Sequence, residues 1–81
     1  MNIKPLKPEL VAYLKQHRLE KKFDKAKQLF ESDIHHPSLN VKVLEPKSLK
    51  IYSFRVDLKY RALFFIVDEE VEIISVTNHY K

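Results

Sequence analysis

Cysteine and glycine are both absent from this sequence of 81 residues. Without cysteine there is neither a disulfide to staple the fold nor a thiolate zinc site, and a reducing compartment fits the composition. Without glycine there is neither a P-loop nor a Rossmann-type phosphate loop, because both need glycine where the backbone approaches the phosphates. Any phosphate must therefore be bound by side chains.

Long apolar runs are also missing. The longest, residues 62–67, is far shorter than the roughly 20 residues that a membrane helix needs. The first ten residues are charged and interrupted by prolines, which is not the pattern of a secretory signal. We therefore expect a cytoplasmic protein, and the length predicts one domain spanning residues 1–81.

Residues 42–61 form one basic segment, with six cations against only Glu45 and Asp57, and the net charge of the chain is +4. The cationic members of this segment are Lys42, Lys47, Lys50, Arg55, Lys59 and Arg61. Its four lysines are candidate nucleic-acid contacts, whereas a solubilising surface is the simpler interpretation of any one of them. A dependence of binding on salt would separate the two interpretations.

Two stretches with helical spacing follow a short extended start. Pro8 suits the first position of a helix, and the second helix should stop before Pro37, because a residue that precedes proline avoids helical geometry. His35 and His36 are adjacent and do not share a face, so they are expected to finish the second helix rather than to bind a metal.

The pattern then changes to the two-residue alternation of β-strands, and residues 60–67 are apolar on both faces apart from Arg61. This indicates a central strand in an antiparallel meander. The predicted fold class is α+β: an optional short N-terminal strand, then two antiparallel helices packed on one face of a three- to four-stranded antiparallel sheet.

Two arginines are predicted to lie side by side on the open face of this sheet. A turn centred on Leu58 places Arg55 opposite Arg61 and Phe54 opposite Ala62. A register shifted by one residue would bury a row of arginines, so the apolar pattern selects the first pairing.

The last hairpin is predicted to turn at Asp68 and Glu69. A two-residue turn there places Ile73 opposite Phe64 on the helix side of the sheet, and Val76 opposite Arg61 on the open side. The chain beyond Val76 should then continue along the arginine pair.

The arginine pair and the terminal His79 and Tyr80 suggest an anion site with a proton shuttle. Arginine binds phosphate with two parallel hydrogen bonds, and histidine titrates near neutral pH. Tyr80 is expected beside Arg61, and we expect a local break of the strand to turn His79 toward it. These groups suffice for RNA cleavage by attack of a 2′-hydroxyl, with no metal and no cofactor, although many small domains carry them.

The stretch "SFRVDLKYRALFFIVDEEVEIISVTNHYK", preceded by "HPSL", resembles the RelE/ParE superfamily of toxins from type II toxin–antitoxin modules. The most specific elements are the Arg55-x5-Arg61 spacing, with Tyr60 just before the second arginine, and the terminal His79-Tyr80. The resemblance covers nearly the whole chain and is strongest to the YoeB branch of mRNA interferases, whose members end in His-Tyr.

This resemblance implies a toxin that enters the ribosomal A site, cleaves mRNA there and is held inactive by an antitoxin. It implies that Arg61 contacts the scissile phosphate with support from Arg55, that His79 is the general acid and that Tyr80 places the substrate. Glu45 is the nearest candidate for the general base. Glu45 lies a few residues closer to Arg55 than the general base does in the YoeB pattern. The identity of the general base therefore stays open.

Three alternatives remain at this point. A ParE-like member would share the fold but poison DNA gyrase, and the terminal His-Tyr argues against it because that branch does not need those groups. A member without catalytic activity would survive as a binding module. A plain RNA-binding domain would expose aromatic pairs on its sheet, whereas most aromatic residues here are predicted on the helix-covered face. The apolar residues Leu63, Phe65 and Ile74 on the open face are expected to form either part of the surface on which an antitoxin docks or the floor of a shallow core.

Overall fold

Residues 1–78, which are the part of the protein that the computed structural model describes, form an antiparallel sheet covered on one face by two helices. The elements are α1 (Pro8–Gln16), α2 (Glu20–Ser32), β1 (Lys42–Val43), β2 (Tyr52–Arg55), β3 (Arg61–Val67) and β4 (Glu70–Thr77), with 3₁₀ turns at Pro37–Leu39 and Lys47–Leu49. The strand order is β1-β2-β3-β4 and every neighbouring pair is antiparallel. The predicted α+β class is confirmed.

The first residues of the chain reach the outer edge of β4. Ile3 makes a single parallel bridge with Val71, and the Lys4 amide donates to the Val71 carbonyl at 2.8 Å. In place of the expected short N-terminal strand, the structure therefore has a single β-bridge. Burial of Ile3 in the core fixes the extended segment in place.

The helices begin and end where proline and backbone geometry require. Pro8 is the first residue of α1, as predicted. Arg18 adopts a left-handed conformation with φ 55°, which reverses the chain between the two helices. The helix α2 ends at Ser32, so the prediction that His35 and His36 finish it is wrong. Instead, Nδ1 of His36 accepts a hydrogen bond from the Ser38 amide and caps the first 3₁₀ turn.

An aromatic cluster occupies the core between α2 and the sheet. The Phe30 ring centroid lies 5.0 Å from that of Phe54 and 5.2 Å from that of Phe64. Phe23 extends the cluster, with its centroid 6.2 Å from that of Phe54. All four rings are buried: strand alternation sends Phe54 and Phe64 to the helix side of the sheet, and Phe23 and Phe30 face them from α2. The helices described in residues 1–78 lack the length and apolar character required to cross a bilayer.

The pairing of β2 with β3 is the predicted one. Arg55 lies opposite Arg61 and Phe54 opposite Ala62. The Val56 amide donates to the Tyr60 carbonyl at 2.9 Å and closes the hairpin. The two arginines therefore stand at the end of the sheet from which this turn projects.

The pairing of β3 with β4 contains a bulge that the sequence analysis did not predict. Phe64 lies opposite Ile73, as expected, but Leu63 lies opposite Ser75, which leaves Ile74 without a partner strand residue. Val76 consequently pairs with Ala62 rather than with Arg61. Its side chain belongs to the core, and the residue is only 5% exposed.

The predicted position of Val76 on the open face is therefore wrong, and the physical reason is the spacing of the two apolar residues. Ile73 and Val76 are an odd number of residues apart, so a regular strand would bury only one of them. The extra residue of a bulge reverses the alternation and buries both. Thr77 takes the place opposite Arg61.

Candidate active site

Arg61 is the most enclosed charged residue of the open face. It begins β3 and is 9% exposed. Its Nε donates to Oγ of Ser53 at 2.9 Å, and its Nη2 donates to the carbonyl oxygens of Ser53, at 3.3 Å, and of Asn40. These three acceptors are neutral oxygens that fix the plane of the guanidinium. The side chain is therefore held in one orientation, as a group that recognises a phosphate must be.

Two residues that hold Arg61 were not identified from the sequence. Ser53 is fully buried and pairs with Leu63, so it lies diagonally across from Arg61 on the same face. That position could have been found from the register, since diagonal neighbours on one face are within reach of long side chains. Asn40 could not, because its carbonyl reaches Arg61 only through a left-handed backbone turn with φ 44°.

Arg55 lies half-buried at the end of β2, at the start of a groove between the sheet and α2. The groove has a volume of about 390 Å³, and Lys22 and Lys25 of α2 and Ser38 also line it. Arg55 and Arg61 occupy directly paired positions, and guanidinium groups form strong hydrogen bonds to anionic oxygens. This arrangement is suited to a bound anion.

Glu45 does not lie with the arginines. It follows Leu44, whose amide donates to the Ile51 carbonyl at 2.8 Å, just before β2 begins. At about 3.3 Å per residue, roughly 13 Å of strand separates Ile51 from Arg55. Glu45 is exposed, and among the described residues no hydrogen bond or ion pair joins it to an arginine.

The four candidate lysines are all exposed but lie in different places. Lys42 pairs with Ser53 and so lies one strand away from the serine that binds Arg61. Lys47 and Lys50 belong to the second 3₁₀ turn and its cap, before β2 begins. Lys59 lies in the turn between Arg55 and Arg61.

His79 and Tyr80, the predicted general acid and the predicted substrate-placing residue, lie outside the described residues. The bulge at Ile74 changes the expectation for them, since Thr77 rather than Val76 lies opposite Arg61. Among residues 1–78 there is no cluster of three or more histidine, aspartate or glutamate side chains that could hold a metal ion.

Asp57 fixes the turn that separates the two arginines. Its Oδ1 accepts hydrogen bonds from the amides of Lys59, at 2.8 Å, and Tyr60, at 2.7 Å, and its Oδ2 accepts one from Lys22 at 3.2 Å. Partial burial by itself raises the pKa of this carboxyl, but the backbone hydrogen bonds and Lys22 outweigh it, so the pKa is lowered. The turn, and with it the start of β3 at Arg61, is thus tied to α2.

Replacing Asp57 by asparagine is expected to lower the free energy of unfolding at neutral pH by roughly 1 kcal/mol, because hydrogen bonds to a charged acceptor are the stronger ones. A carboxyl with a lowered folded pKa stabilises the protein above its unfolded pKa of about 3.9 and loses that effect as the pH falls through the folded value. Urea unfolding between pH 7 and pH 3 checks this, with Asp24→Asn as the exposed control. A deficit that stays constant down to pH 3 would contradict it.

A second group of aromatic side chains lies on the helix side of the same turn. The ring centroids of Tyr13 and His17 are 4.2 Å apart, and the Tyr60 hydroxyl lies 3.4 Å from Nδ1 of His17. Burial raises the pKa of the Tyr13 phenol, and the nearby Tyr60 raises it further. The Tyr13 phenol therefore remains a neutral hydrogen-bonding group at physiological pH.

Comparison with solved structures identifies the fold. The YoeB/ParE toxin from Agrobacterium tumefaciens superposes with a TM-score of 0.71 at 12% sequence identity, over 99% of this chain and all of that chain. YoeB in the YoeB–YefM complex from Staphylococcus aureus gives 0.69 at 17% identity, over 99% of this chain and 100% of that chain. The chain has the fold of the YoeB toxins. Its resemblance to the RelE/ParE superfamily, noted from the sequence, is thus confirmed at the level of the fold.

The same YoeB fold appears in a YoeB dimer from Staphylococcus aureus, with a TM-score of 0.65 at 20% identity over 98% of this chain and 94% of that chain. No protein-family model and no protein of curated function matches the sequence. At these identities the YoeB likeness extends to the arrangement of helices and strands, and the chemistry of the arginine pair has to be argued from this chain's own residues.

Proposed function

We propose that this chain is the toxin of a type II toxin–antitoxin module and that it cleaves mRNA in the ribosomal A site. The observation that carries the proposal is the Arg55–Arg61 pair on the open face of a YoeB-like fold, with Arg61 oriented by Ser53 and Asn40. Two cations at directly paired positions, one of them held in a single orientation, match the charge of a phosphodiester in its transition state. Action on ribosomes implies a cytoplasmic protein.

In the proposed reaction the 2′-oxygen of the substrate forms a bond to the adjacent phosphorus and the bond from phosphorus to the 5′-oxygen breaks. A base takes the proton of the 2′-hydroxyl, and an acid gives a proton to the leaving 5′-oxygen. The products are a 2′,3′-cyclic phosphate and a 5′-hydroxyl. The role of Arg61 is to bind the phosphoryl oxygens, whose charge grows as the bonds change, and that of Arg55 is to hold the flanking phosphate.

The proposed acid is His79, with Tyr80 placing the substrate. Thr77 lies opposite Arg61, so position 79 follows the strand partner of Arg61 by only two residues along the chain. Glu45 remains a prediction for the base, and Lys42, Lys47, Lys50 and Lys59 remain predictions for RNA contacts.

The proposed partner that silences the toxin is an antitoxin covering the open face. Leu63 and Phe65 are half-buried there, and Ile74 at the bulge is 42% exposed. The YoeB of Staphylococcus aureus has been solved in complex with YefM, which supports a protein partner for this fold. These side chains give such a partner an apolar area next to the arginines.

A single deoxy substitution in the mRNA tests the chemistry. On ribosomes, an mRNA that lacks the 2′-hydroxyl at the scissile nucleotide should not be cut, whereas the all-ribose mRNA should yield the cyclic phosphate.

Two variants test the acid and the base. His79→Ala is expected to slow cleavage by about 10²–10⁴-fold, and Glu45→Gln shows whether that carboxylate is the base. Cleavage of the deoxy mRNA at an unchanged rate would overturn the mechanism. An intact mRNA combined with inhibition of DNA gyrase would favour the ParE-like alternative.

A further inference from the structure

Three aromatic side chains outside the proposed active site meet where the end of α1 approaches the turn between β2 and β3. We call Tyr13, His17 and Tyr60 the aromatic corner. The His17 and Tyr60 ring centroids are 5.8 Å apart, and those of Tyr13 and Tyr60 are 6.4 Å apart. His17 is exposed and both tyrosines are half-buried. The corner therefore lies outside the core, and its rings are accessible to solvent.

An open depression lies against two of these rings. It has a volume of about 370 Å³ and is lined by His17 and Tyr60, with Lys22, Asp57 and Lys59 around them. Asp57 is already engaged by Lys22 at 3.2 Å and by the amides of its own turn. A ligand in this depression would contact the two rings together with Lys22 and Lys59.

The charge around the aromatic corner is strongly positive. A second depression, about 340 Å³, adjoins the first through Lys22, and its remaining lining residues are Lys15, Arg18, Glu20 and Lys21. Five cations and two carboxylates thus line the two depressions together. Because α1 ends at Gln16 and Arg18 takes a left-handed turn, the chain reversal itself gathers these cations beside the rings.

We propose that the aromatic corner is a second RNA-binding site, at which an unstacked base of single-stranded RNA lies against His17 and Tyr60 while the surrounding lysines and Arg18 contact phosphates. This proposal rests on the proposed function, to which the aromatic corner adds an RNA contact separate from the arginine pair. Base stacking on aromatic rings together with a cationic groove is the usual mode of single-strand binding.

The aromatic corner lies close to the proposed active site along the chain. Tyr60 directly precedes Arg61, and the Asp57 turn that holds Tyr60 also ends the strand that carries Arg55. RNA held at the aromatic corner would therefore be anchored at the same end of the sheet as the arginine pair. Docking of this kind raises the effective concentration of the scissile segment without taking part in the chemistry.

The test is fluorescence anisotropy of a labelled, single-stranded 2′-O-methyl oligoribonucleotide of mixed sequence. This probe cannot be cleaved by 2′-oxygen attack, so its binding is measured independently of any nuclease activity. His17→Ala is expected to weaken binding by roughly 5- to 100-fold, and Tyr60→Phe, which keeps the ring, by little. Thermal unfolding followed by circular dichroism verifies that both variants are folded.

Two matched double variants test the charge. Lys15→Gln with Lys21→Gln should reduce the slope of log affinity against log salt by about 1.4, at roughly 0.7 per lost phosphate contact. Lys4→Gln with Lys7→Gln removes the same charge at the other end of α1, where both lysines lie near Glu72, and should leave the slope unchanged. Equal slopes for the two doubles, or wild-type affinity in His17→Ala, would overturn the site. The nuclease proposal is tested by a different measurement, the mRNA cleavage by Arg61→Ala. The RNA-binding site and the nuclease activity can therefore fail independently of each other.

Discussion

Replacing Arg61 by alanine is expected to slow mRNA cleavage on the ribosome by roughly 10²–10³-fold, the usual effect of removing one group that stabilises developing charge. Arg61 is 9% exposed and its guanidinium is oriented by Ser53 and Asn40, so the group is already placed before substrate arrives. Arg61→Lys keeps the charge but loses the planar fork, and it should recover only part of the rate. Single-turnover cleavage of a programmed mRNA gives these rates directly.

Two further variants separate charge from orientation at Arg61. Ser53→Ala removes the hydrogen bond to Nε and leaves the charge, so the maximal rate should fall by roughly tenfold while binding of the ribosome is kept. Arg55→Ala should weaken cleavage less than Arg61→Ala, because Arg55 is assigned a flanking phosphate. A full rate in Arg61→Ala, in protein shown to be folded, would remove Arg61 from the proposed mechanism.

Replacing Phe30 by alanine is expected to have the largest effect on stability. Phe30 is 1% exposed and contacts both Phe54 and Phe64 from α2. Losing a buried phenylalanine costs about 3–5 kcal/mol through lost burial and the cavity that remains. A domain of 81 residues has a total stability of only about 4–12 kcal/mol, so much of the variant should be unfolded at 37 °C.

Urea unfolding measures the effect of Phe30→Ala, and Phe65→Ala is the matched control. Phe65 lies on the open face and is half-buried, so its loss should cost roughly 1 kcal/mol, in proportion to the smaller apolar area that it buries. Similar losses for the two variants would show that the open face contributes as much to stability as the helix-covered face, which would contradict the assignment of the core.

The sequence was sufficient to predict the fold and the first hairpin. The alternation of Phe54, Arg55 and Arg61 admits only one register that buries apolar residues and leaves the arginines on the open face. The bulge at Ile74 was missed because the pairing was extended as a regular ladder. The signal for it was present in the odd spacing of Ile73 and Val76, two apolar residues that both belong to the core.

The surroundings of the arginine pair were less predictable. Local alternation places Arg55 and Arg61, but the bond from Arg61 to the Asn40 carbonyl depends on how a loop folds over the sheet. Glu45 looked close to Arg55 along the chain, whereas the antiparallel run of β1 and β2 carries it toward the far end of β2. The aromatic corner joins α1 to the β2–β3 turn through tertiary packing alone, which no local pattern reveals.

The central claim is that this chain cleaves mRNA within translating ribosomes by means of the Arg61 site. It is tested most directly by primer extension on an mRNA translated in a purified system, with wild-type protein and with Arg61→Ala. We predict cuts within the A-site codon that require ribosomes and disappear in the variant. Intact mRNA with undiminished protein synthesis, at a wild-type concentration well above that of the ribosomes, would contradict the claim.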